Sequence, residues 1–279
     1  MLRSVWSSQK IVNKSSLTLS WCHHRKASTL VIAEPLLENH DKNTTLLTSA
    51  TLSAITAAQN IQHKSPSKDG TSGITLLTFS PIAVDSAAKS NIPPCISTIL
   101  VPQQKLSSST LVAETLTDII ISAQEKYQFT HIITPSSKFG SNILPRAAAK
   151  LRASPISDVI AVVDANTYVR PMYAGNILVT VKHEDTVPPS IPQMLTIRGT
   201  AFEKAKGDEG TPRNVPLQIE TLNITSHTDP KKTTFVSANV SKSNRPDLSS
   251  ASIVVRQWKD ICINKNNEFY NHFLVIGLY

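Results

Sequence analysis

Residues 130–163 read THIITPSSKFGSNILPRAAAKLRASPISDVIAVV and contain one complete strand–helix–strand unit. The short apolar run at 130–134 predicts a buried strand, and the turn-forming residues at 135–141 separate it from a helix. A second strand is predicted at 159–163, and Pro145 is expected in the first turn of the helix, where proline is tolerated. The helix face consists of alanines and leucines spaced three or four residues apart, namely Leu144, Ala147, Ala148 and Leu151.

The segments before this unit repeat its alternation of strands and helices. Ser109 or Thr110 is expected to cap the helix before it, because a hydroxyl oxygen there accepts a hydrogen bond from a free backbone N–H. Four or five consecutive strand–helix units predict a mostly parallel sheet covered by helices. The predicted strands lie at 29–33, 74–79 and 96–101, and the predicted helices at 47–61, 82–89 and 112–127.

The pattern changes after residue 163. Short apolar runs at 168–173, 177–181 and 194–197 are joined by turns without helical periodicity, which is typical of antiparallel strands. The predicted fold class is therefore α/β: a three-layer α/β/α sandwich with a mostly parallel sheet and antiparallel edge strands. From residue 206 onward Pro, Gly, Ser, Thr, Lys and Asn predominate, so a largely unstructured C-terminal tail is expected, with one further strand at 251–255.

The net charge of +8 is concentrated at the amino terminus. Residues 1–27 carry five Lys or Arg and no Asp or Glu, whereas residues 28–205 carry 14 basic and 13 acidic side chains. A nearly neutral core argues against a nucleic-acid partner. The basic, serine-rich leader, amphipathic on a helical projection, predicts a mitochondrial transit peptide. No apolar run approaches the roughly 20 residues that a membrane span requires.

Motifs for common cofactors and reactions are missing from the sequence. The eight glycines form neither GxGxxG nor GxxxxGK[ST], no GxSxG elbow occurs, and the three cysteines have no CxxC spacing. Residues 136–141 form either an anion cradle or, as we favour, a polar turn that caps a helix. His131 is interpreted as a core or edge histidine rather than a general base. We therefore predict no catalytic residue, no cofactor-binding residue and no metal site.

Four blocks of sequence, in order, resemble the α-subunit family of electron transfer flavoproteins. They are STLVIAE at 28–34, FGSNILPRAAAKL at 139–151 continuing through PISDVI at 155–160, YVRPMYAGN at 168–176 and IRGTAF at 197–202. The resemblance covers roughly residues 28–205, which correspond to the amino-terminal domain of that family. It resumes at SKSNRPDL, residues 241–248, and ASIVV, residues 251–255, which resemble the entry to the family's FAD-binding domain.

The resemblance ends at Val255, and the family's FAD-binding segment is expected to be absent after this residue. Where the family continues with a glycine-rich turn beside the flavin, this chain reads RQWKD at 256–260. The expected organisation is therefore a transit peptide at 1–27, the amino-terminal domain at 28–205, a linker with a vestigial start of the FAD domain at 206–255, and an unrelated tail at 256–279. Such an ending is expected of a splice form, a pseudogene, a retained intron or a gene-model error.

The resemblance implies a subunit of the electron carrier of the mitochondrial matrix. In that family the α subunit forms a heterodimer with a β subunit and passes electrons from acyl-CoA dehydrogenases to the respiratory chain. FAD is the family's cofactor, and we expect this chain alone not to retain it. The expected β-subunit interface residues are Arg146, Tyr173 and Arg198, because they lie in the matching blocks. Two alternatives remain: a partner-binding module without redox activity that competes for the β subunit, and a nucleotide-binding α/β domain.

Overall fold

A computed structural model describes residues 28–35, 47–64, 73–79, 92–103, 112–184, 191–206, 217–223 and 236–237. The chain divides into two compact units, 1–235 and 236–279, and every helix and strand named below belongs to the first. In the second unit only residues 236 and 237 are described, and both are exposed.

Several predicted features lie outside the described residues. They are the transit peptide at 1–27, the helix at 82–89, the strand at 251–255 and the tail at 256–279. Val255, the last residue of the resemblance, lies there as well. The expected loss of the FAD-binding segment after Val255 therefore stays a prediction.

Strands and α-helices alternate through the first half of the described chain. The α-helices are α1 (Ser49–Lys64), α2 (Ala113–Tyr127) and α3 (Lys138–Leu151). The strands are β1 (Thr29–Ile32), β2 (Ile74–Leu77), β3 (Ile96–Pro102), β4 (His131–Pro135), β5 (Pro155–Val159), β6 (Ala161–Asp164), β7 (Thr167–Met172), β8 (Ile177–Lys182), β9 (Gln193–Ile197) and β10 (Gln218–Leu222).

Seven of these strands form one parallel sheet in the order β10-β3-β2-β1-β4-β9-β5. Side chains alternate between its two faces, as the pleat of a strand requires. Val31 of β1 packs in the cluster that contains the buried face of α1, whereas Leu30 and Ile32 pack with α2 and α3. Helices thus cover both faces of the sheet, which confirms the predicted α/β class and its mostly parallel sheet.

The predicted antiparallel strands are present, and they form a sheet of their own. Strand β7 pairs with β6 on one side and with β8 on the other, both antiparallel. We call this the small sheet. The sequence pattern groups the run at 194–197 with these strands, yet β9 inserts in parallel between β4 and β5. Sequence periodicity does not distinguish these outcomes, because both kinds of strand have a repeat of two residues.

The strand predicted at 159–163 is divided between the two sheets. Asp158 has a φ of 61°, and its N–H donates to Thr196 Oγ1 at 2.7 Å. Beyond it, Ile160 N–H donates to the Val169 carbonyl at 2.9 Å, so the chain has already joined the small sheet. A left-handed residue bends the strand here, and one continuous apolar run supplies β6 as well as the end of β5.

The predicted N-cap of α2 and the predicted first-turn position of Pro145 were both wrong. Helix α2 has Val112 at its N-cap position without a side-chain hydrogen bond, rather than Ser109 or Thr110, which lie outside the described residues. Helix α3 begins at Lys138 because Ser137 Oγ accepts a hydrogen bond from Gly140 N–H at 3.2 Å. Pro145 therefore lies in the helix interior. Neighbouring packing outweighs the roughly 3 kcal/mol cost of an interior proline.

The segment expected to be a linker contributes a strand to the parallel sheet. Strand β10 pairs along its whole length with β3 and forms one edge of the sheet. Tyr127 at the end of α2 donates from its hydroxyl to Glu220 Oε2 at 2.5 Å, which ties the helix to this edge. The domain therefore extends beyond residue 205 to at least residue 222. A lone five-residue strand in a polar segment has no recognisable pattern until it pairs.

Candidate functional site

The turn between β7 and β8 carries four large apolar side chains that are exposed. They form the set that we call the hairpin patch: Met172, Tyr173, Ile177 and Leu178. The exposed fractions of Tyr173 and Leu178 are 71% and 63%, the largest of the four. Clustered apolar side chains at one tip of a small sheet are typical of a partner-binding surface rather than of a solvated loop.

The backbone of this turn is held in an unusual conformation. Tyr173, Ala174 and Gly175 have φ values of 50°, 58° and 94°, so three successive residues are left-handed. The left-handed region costs a residue with a side chain roughly 1–2 kcal/mol. A hypothetical Cβ on Gly175 would meet no atom within 4 Å, so crowding does not explain the glycine there. Such local strain clusters at binding sites, which supports a functional reading of the turn.

The other two expected interface residues are engaged inside the chain. Arg146 Nη2 lies 3.0 Å from Glu114 Oε1 and links α3 to α2. Arg198 binds Asp158 with two nitrogens, Nε at 3.0 Å from Oδ1 and Nη2 against Oδ2, and this hydrogen bonding raises the pKa of Arg198. The bidentate pair holds the bend at Asp158 where the chain leaves β5.

The structure does not bring the three expected interface residues together. Arg146 belongs to the helix layer of α2 and α3, whereas the small sheet that presents Tyr173 packs with the core on the α1 side. The sequence reasoning included Tyr173 but missed Met172, Ile177 and Leu178. The available signal was the pair of adjacent apolar residues at the start of β8, since a half-buried strand alternates apolar with polar residues.

The polar turn after β4 serves as a helix cap. Ser137 accepts the Gly140 N–H, and Ser136 N–H donates to the Ile197 carbonyl at 2.7 Å. The Ser136 N–H and the Gly140 N–H, which an anion would need as donors, are therefore already bonded within the chain. Gly140 packs tightly, since a Cβ built on it would lie 2.0 Å from the Pro135 carbonyl oxygen. The interpretation of residues 136–141 as a capping turn is confirmed.

His131 is a buried core residue, as the sequence indicated. Its Nδ1 lies 2.9 Å from Thr130 Oγ1 and its Nε2 lies 3.2 Å from the Ala165 carbonyl oxygen. The pKa of His131 is lowered from 6.5 to about 4, mainly by burial and in small part by the nearby His183, while the hydrogen bond to the Ala165 carbonyl opposes the shift. A neutral imidazole bonded to the chain on both sides is structural, and it does not present a free nitrogen to a substrate.

The part of the chain that the structure describes contains no group of three or more His, Cys, Asp or Glu side chains placed to hold a metal ion. No described helix is long and apolar enough to cross a bilayer.

FAD requires glycines where the backbone approaches its phosphates. Of the described glycines, Gly73 is packed against Ser97, Gly140 against Pro135, and Gly199 against Ala50, each with an atom within 3.5 Å of a hypothetical Cβ. Only Gly175 among them faces open space, and it belongs to the hairpin turn rather than to a strand–helix junction. The described glycines therefore do not form a phosphate cradle of the kind that FAD binding uses.

Together these features define a class: an α/β domain with a parallel sheet covered by helices on both faces and a separate small sheet that carries an exposed apolar hairpin. Sequence comparison identifies the family within that class. The electron transfer flavoprotein domain matches residues 37–223, which is most of the described region and includes β10. The chain belongs to the electron transfer flavoprotein family.

Three relatives illustrate the match, and each is named an electron transfer flavoprotein subunit alpha of mitochondria. The protein of Dictyostelium discoideum is 38% identical over 81% of this chain and 59% of its own length. The probable subunit of Caenorhabditis elegans is 37% identical over 83% of this chain and 61% of its own length. The Arabidopsis thaliana subunit is 31% identical over 88% and 62%. The chain thus spans about 60% of the length of these relatives.

Proposed function

We propose that this chain acts as an electron transfer flavoprotein α subunit in the mitochondrial matrix and supplies the part that docks to a β subunit. The carrier would pass electrons from acyl-CoA dehydrogenases to the respiratory chain, and this chain would catalyse no step of its own. The observation that carries the proposal is the family match over 37–223, a region that presents an exposed apolar hairpin. The mitochondrial names of the relatives and the basic leader at 1–27 support the location.

Within this proposal the hairpin patch is the docking surface. Its four apolar side chains lie in the strained turn or in the strand ends beside it, and all four are exposed rather than packed on the core. Burial of a large apolar side chain in a partner contributes about 1.5–3 kcal/mol. Arg146 and Arg198 stay in the proposal as interface residues apart from the hairpin patch, because the exposed parts of their guanidinium groups remain able to meet a partner.

Leu178→Asp is expected to weaken binding of the β subunit at least tenfold, because a carboxylate would be buried in an apolar contact. The matched control is Thr180→Asp, which places the same charge two residues along on the same face of β8, outside the patch. Affinity would be measured by titrating purified β subunit. Equal losses for the two variants, or no loss for Leu178→Asp, would place docking elsewhere.

The chain is expected to purify without FAD. Three of the four described glycines pack against the chain itself, the fourth lies in the hairpin turn, and the glycine-rich segment of the family's flavin domain is not recognisable in the sequence after Val255. Flavin absorbance and fluorescence of the purified chain, before and after addition of excess FAD and desalting, measure retention. A stoichiometric yellow complex would contradict this prediction. The assignment of 206–255 and 256–279 as a vestigial segment and an unrelated tail would then be withdrawn.

A second candidate is a binding module without redox activity that occupies the β subunit in place of a complete α subunit. The combination of a docking patch with no flavin cradle among the described residues favours it. Co-purification with the β subunit followed by an electron transfer assay from an acyl-CoA dehydrogenase separates the two. A complex that carries flavin and transfers electrons supports the carrier, whereas a colourless and inactive complex supports the competitor.

A further inference from the structure

One backbone carbonyl joins the small sheet to the parallel sheet. This carbonyl belongs to Ala165, in the turn between β6 and β7. It accepts from His131 Nε2 at 3.2 Å and also from the Tyr168 hydroxyl. Because a carbonyl only accepts, Nε2 is the ring nitrogen that carries the proton. His131 lies in β4, so this bond fastens the turn to the middle of the parallel sheet.

A second central strand holds the same turn through a chain of side chains. Tyr168 is fully buried, and the single hydrogen of its hydroxyl is shared between the Ala165 carbonyl and Gln193 Oε1, which lies 2.7 Å from the hydroxyl oxygen. Gln193 begins β9, and its Nε2 donates to Asn166 Oδ1 at 2.7 Å. The turn residues Ala165 and Asn166 are therefore held from two neighbouring strands. Networks of this kind define one geometry, because leaving any member unpaired in a buried site is costly.

Helix α1 fastens the end of β6 separately. Lys64 Nζ in its last turn donates to the Val162 carbonyl at 2.5 Å and the Val163 carbonyl at 3.0 Å. The small sheet is thus anchored at the end that contains residues 162–166, whereas the hairpin patch lies at the opposite end of β7. Six residues at about 3.3 Å each separate the anchored turn from the patch by about 20 Å, so a tilt of about 5° moves the patch by about 2 Å.

We infer that His131 and Tyr168 are positioning residues: by holding the Ala165 carbonyl they set the tilt of the small sheet and hence the place of the hairpin patch. This inference rests on the proposed docking function. Neither side chain is exposed enough to contact a partner itself. Their contribution to docking is therefore indirect, through the rigidity of the sheet that carries the patch.

The test uses Tyr168→Phe, which keeps the buried ring and removes only the hydroxyl. The matched control is Tyr127→Phe, which removes an equivalent hydroxyl from the bond to Glu220, far along the chain from the small sheet. Hydrogen exchange of the isolated chain is followed by mass spectrometry in peptides from 161–182 and from 131–135 and 193–197. The affinity for β subunit is measured for each variant and for Leu178→Asp.

Tyr168→Phe is expected to speed exchange in 161–182 about fivefold, leave exchange in β4 and β9 unchanged, and weaken β-subunit binding about fivefold, the effect of losing one hydrogen bond. Tyr127→Phe is expected to leave both 161–182 and binding unchanged. Unchanged exchange in 161–182, or equal acceleration in both sheets, would overturn the inference. So would full binding by Tyr168→Phe when Leu178→Asp loses it. If Leu178→Asp also binds the β subunit fully, the docking proposal itself fails. The exchange data then still test whether the Tyr168 hydroxyl holds the small sheet in place.

Discussion

Gly140→Ala is expected to lower the free energy of unfolding by about 3 kcal/mol, the upper end of the usual cost of overpacking. A Cβ at this position would lie 2.0 Å from the Pro135 carbonyl oxygen and 2.8 Å from Thr134 Oγ1. The first of these atoms is backbone at the end of β4, so it cannot move aside without shifting the strand. The added methyl group would push the first turn of α3 away from the sheet and disturb its cap at Ser137.

Gly199→Ala is the control for this substitution. A Cβ there would lie 3.5 Å from Ala50 Cα, which is an ordinary van der Waals distance. We expect a change within about 1 kcal/mol, since the smaller backbone freedom of alanine in the unfolded chain offsets a slight crowding. Urea denaturation of both variants and the parent chain measures the difference. A Gly140→Ala chain as stable as Gly199→Ala would contradict the packing described for α3.

The stability of the domain is expected to fall as the pH drops from about 6.5 to about 4, the ordinary and folded-state pKa values of His131. Over this interval His131 binds a proton in the unfolded chain but stays neutral in the folded chain, because burial raises the free energy of the imidazolium. The stabilisation is therefore complete above pH 6.5 and is lost as the pH approaches 4. A shift of this size corresponds to about 3 kcal/mol.

His131→Gln isolates this contribution. The variant is compared with the parent by the pH dependence of its unfolding free energy, so that an overall loss of stability does not affect the conclusion. The parent should show the steeper fall between pH 6.5 and 4, and the variant should lack the share due to His131. The fall in stability should be shallower for His183→Gln than for the parent, because this variant lacks the electrostatic effect by which His183 disfavours protonation of His131. Parallel profiles for the parent and His131→Gln would show that folding does not shift the pKa of His131.

The mostly parallel sheet and the alternation of strands and helices in the first half of the chain were predictable, because buried strands and amphipathic helices have different hydrophobic periods. The face of α3 with Leu144, Ala147 and Ala148 is buried as the pattern predicts. The family was predictable too, since four ordered blocks of residues carry the resemblance. The core role of His131 followed from its place at the start of an apolar strand.

Helix boundaries and hydrogen-bond caps were less predictable. Ser109 and Thr110 are good capping residues, yet α2 begins after Val112 without a side-chain cap. Pro145 discourages a helix interior, yet α3 runs through it because the Ser137 cap starts the helix earlier and its apolar face is buried. A capping side chain stabilises a helix by about 1 kcal/mol, and burial of the apolar face of the helix stabilises it by more than this.

Local spacing of apolar residues was sufficient for the class of fold and for the structural role of His131, and four matching blocks were sufficient for the family, because each depends on residues close together in the chain. Three features required the folded molecule: the assignment of β6, β7 and β8 to a separate sheet, the recruitment of β10 to the edge beside β3, and the exposed hairpin patch. Each depends on which distant strand offers free backbone groups and which apolar side chains find no cover. Strand partners and exposed apolar side chains are decided by pairing and burial between segments that are remote in the chain. The two-residue repeat of a single strand carries no information about either.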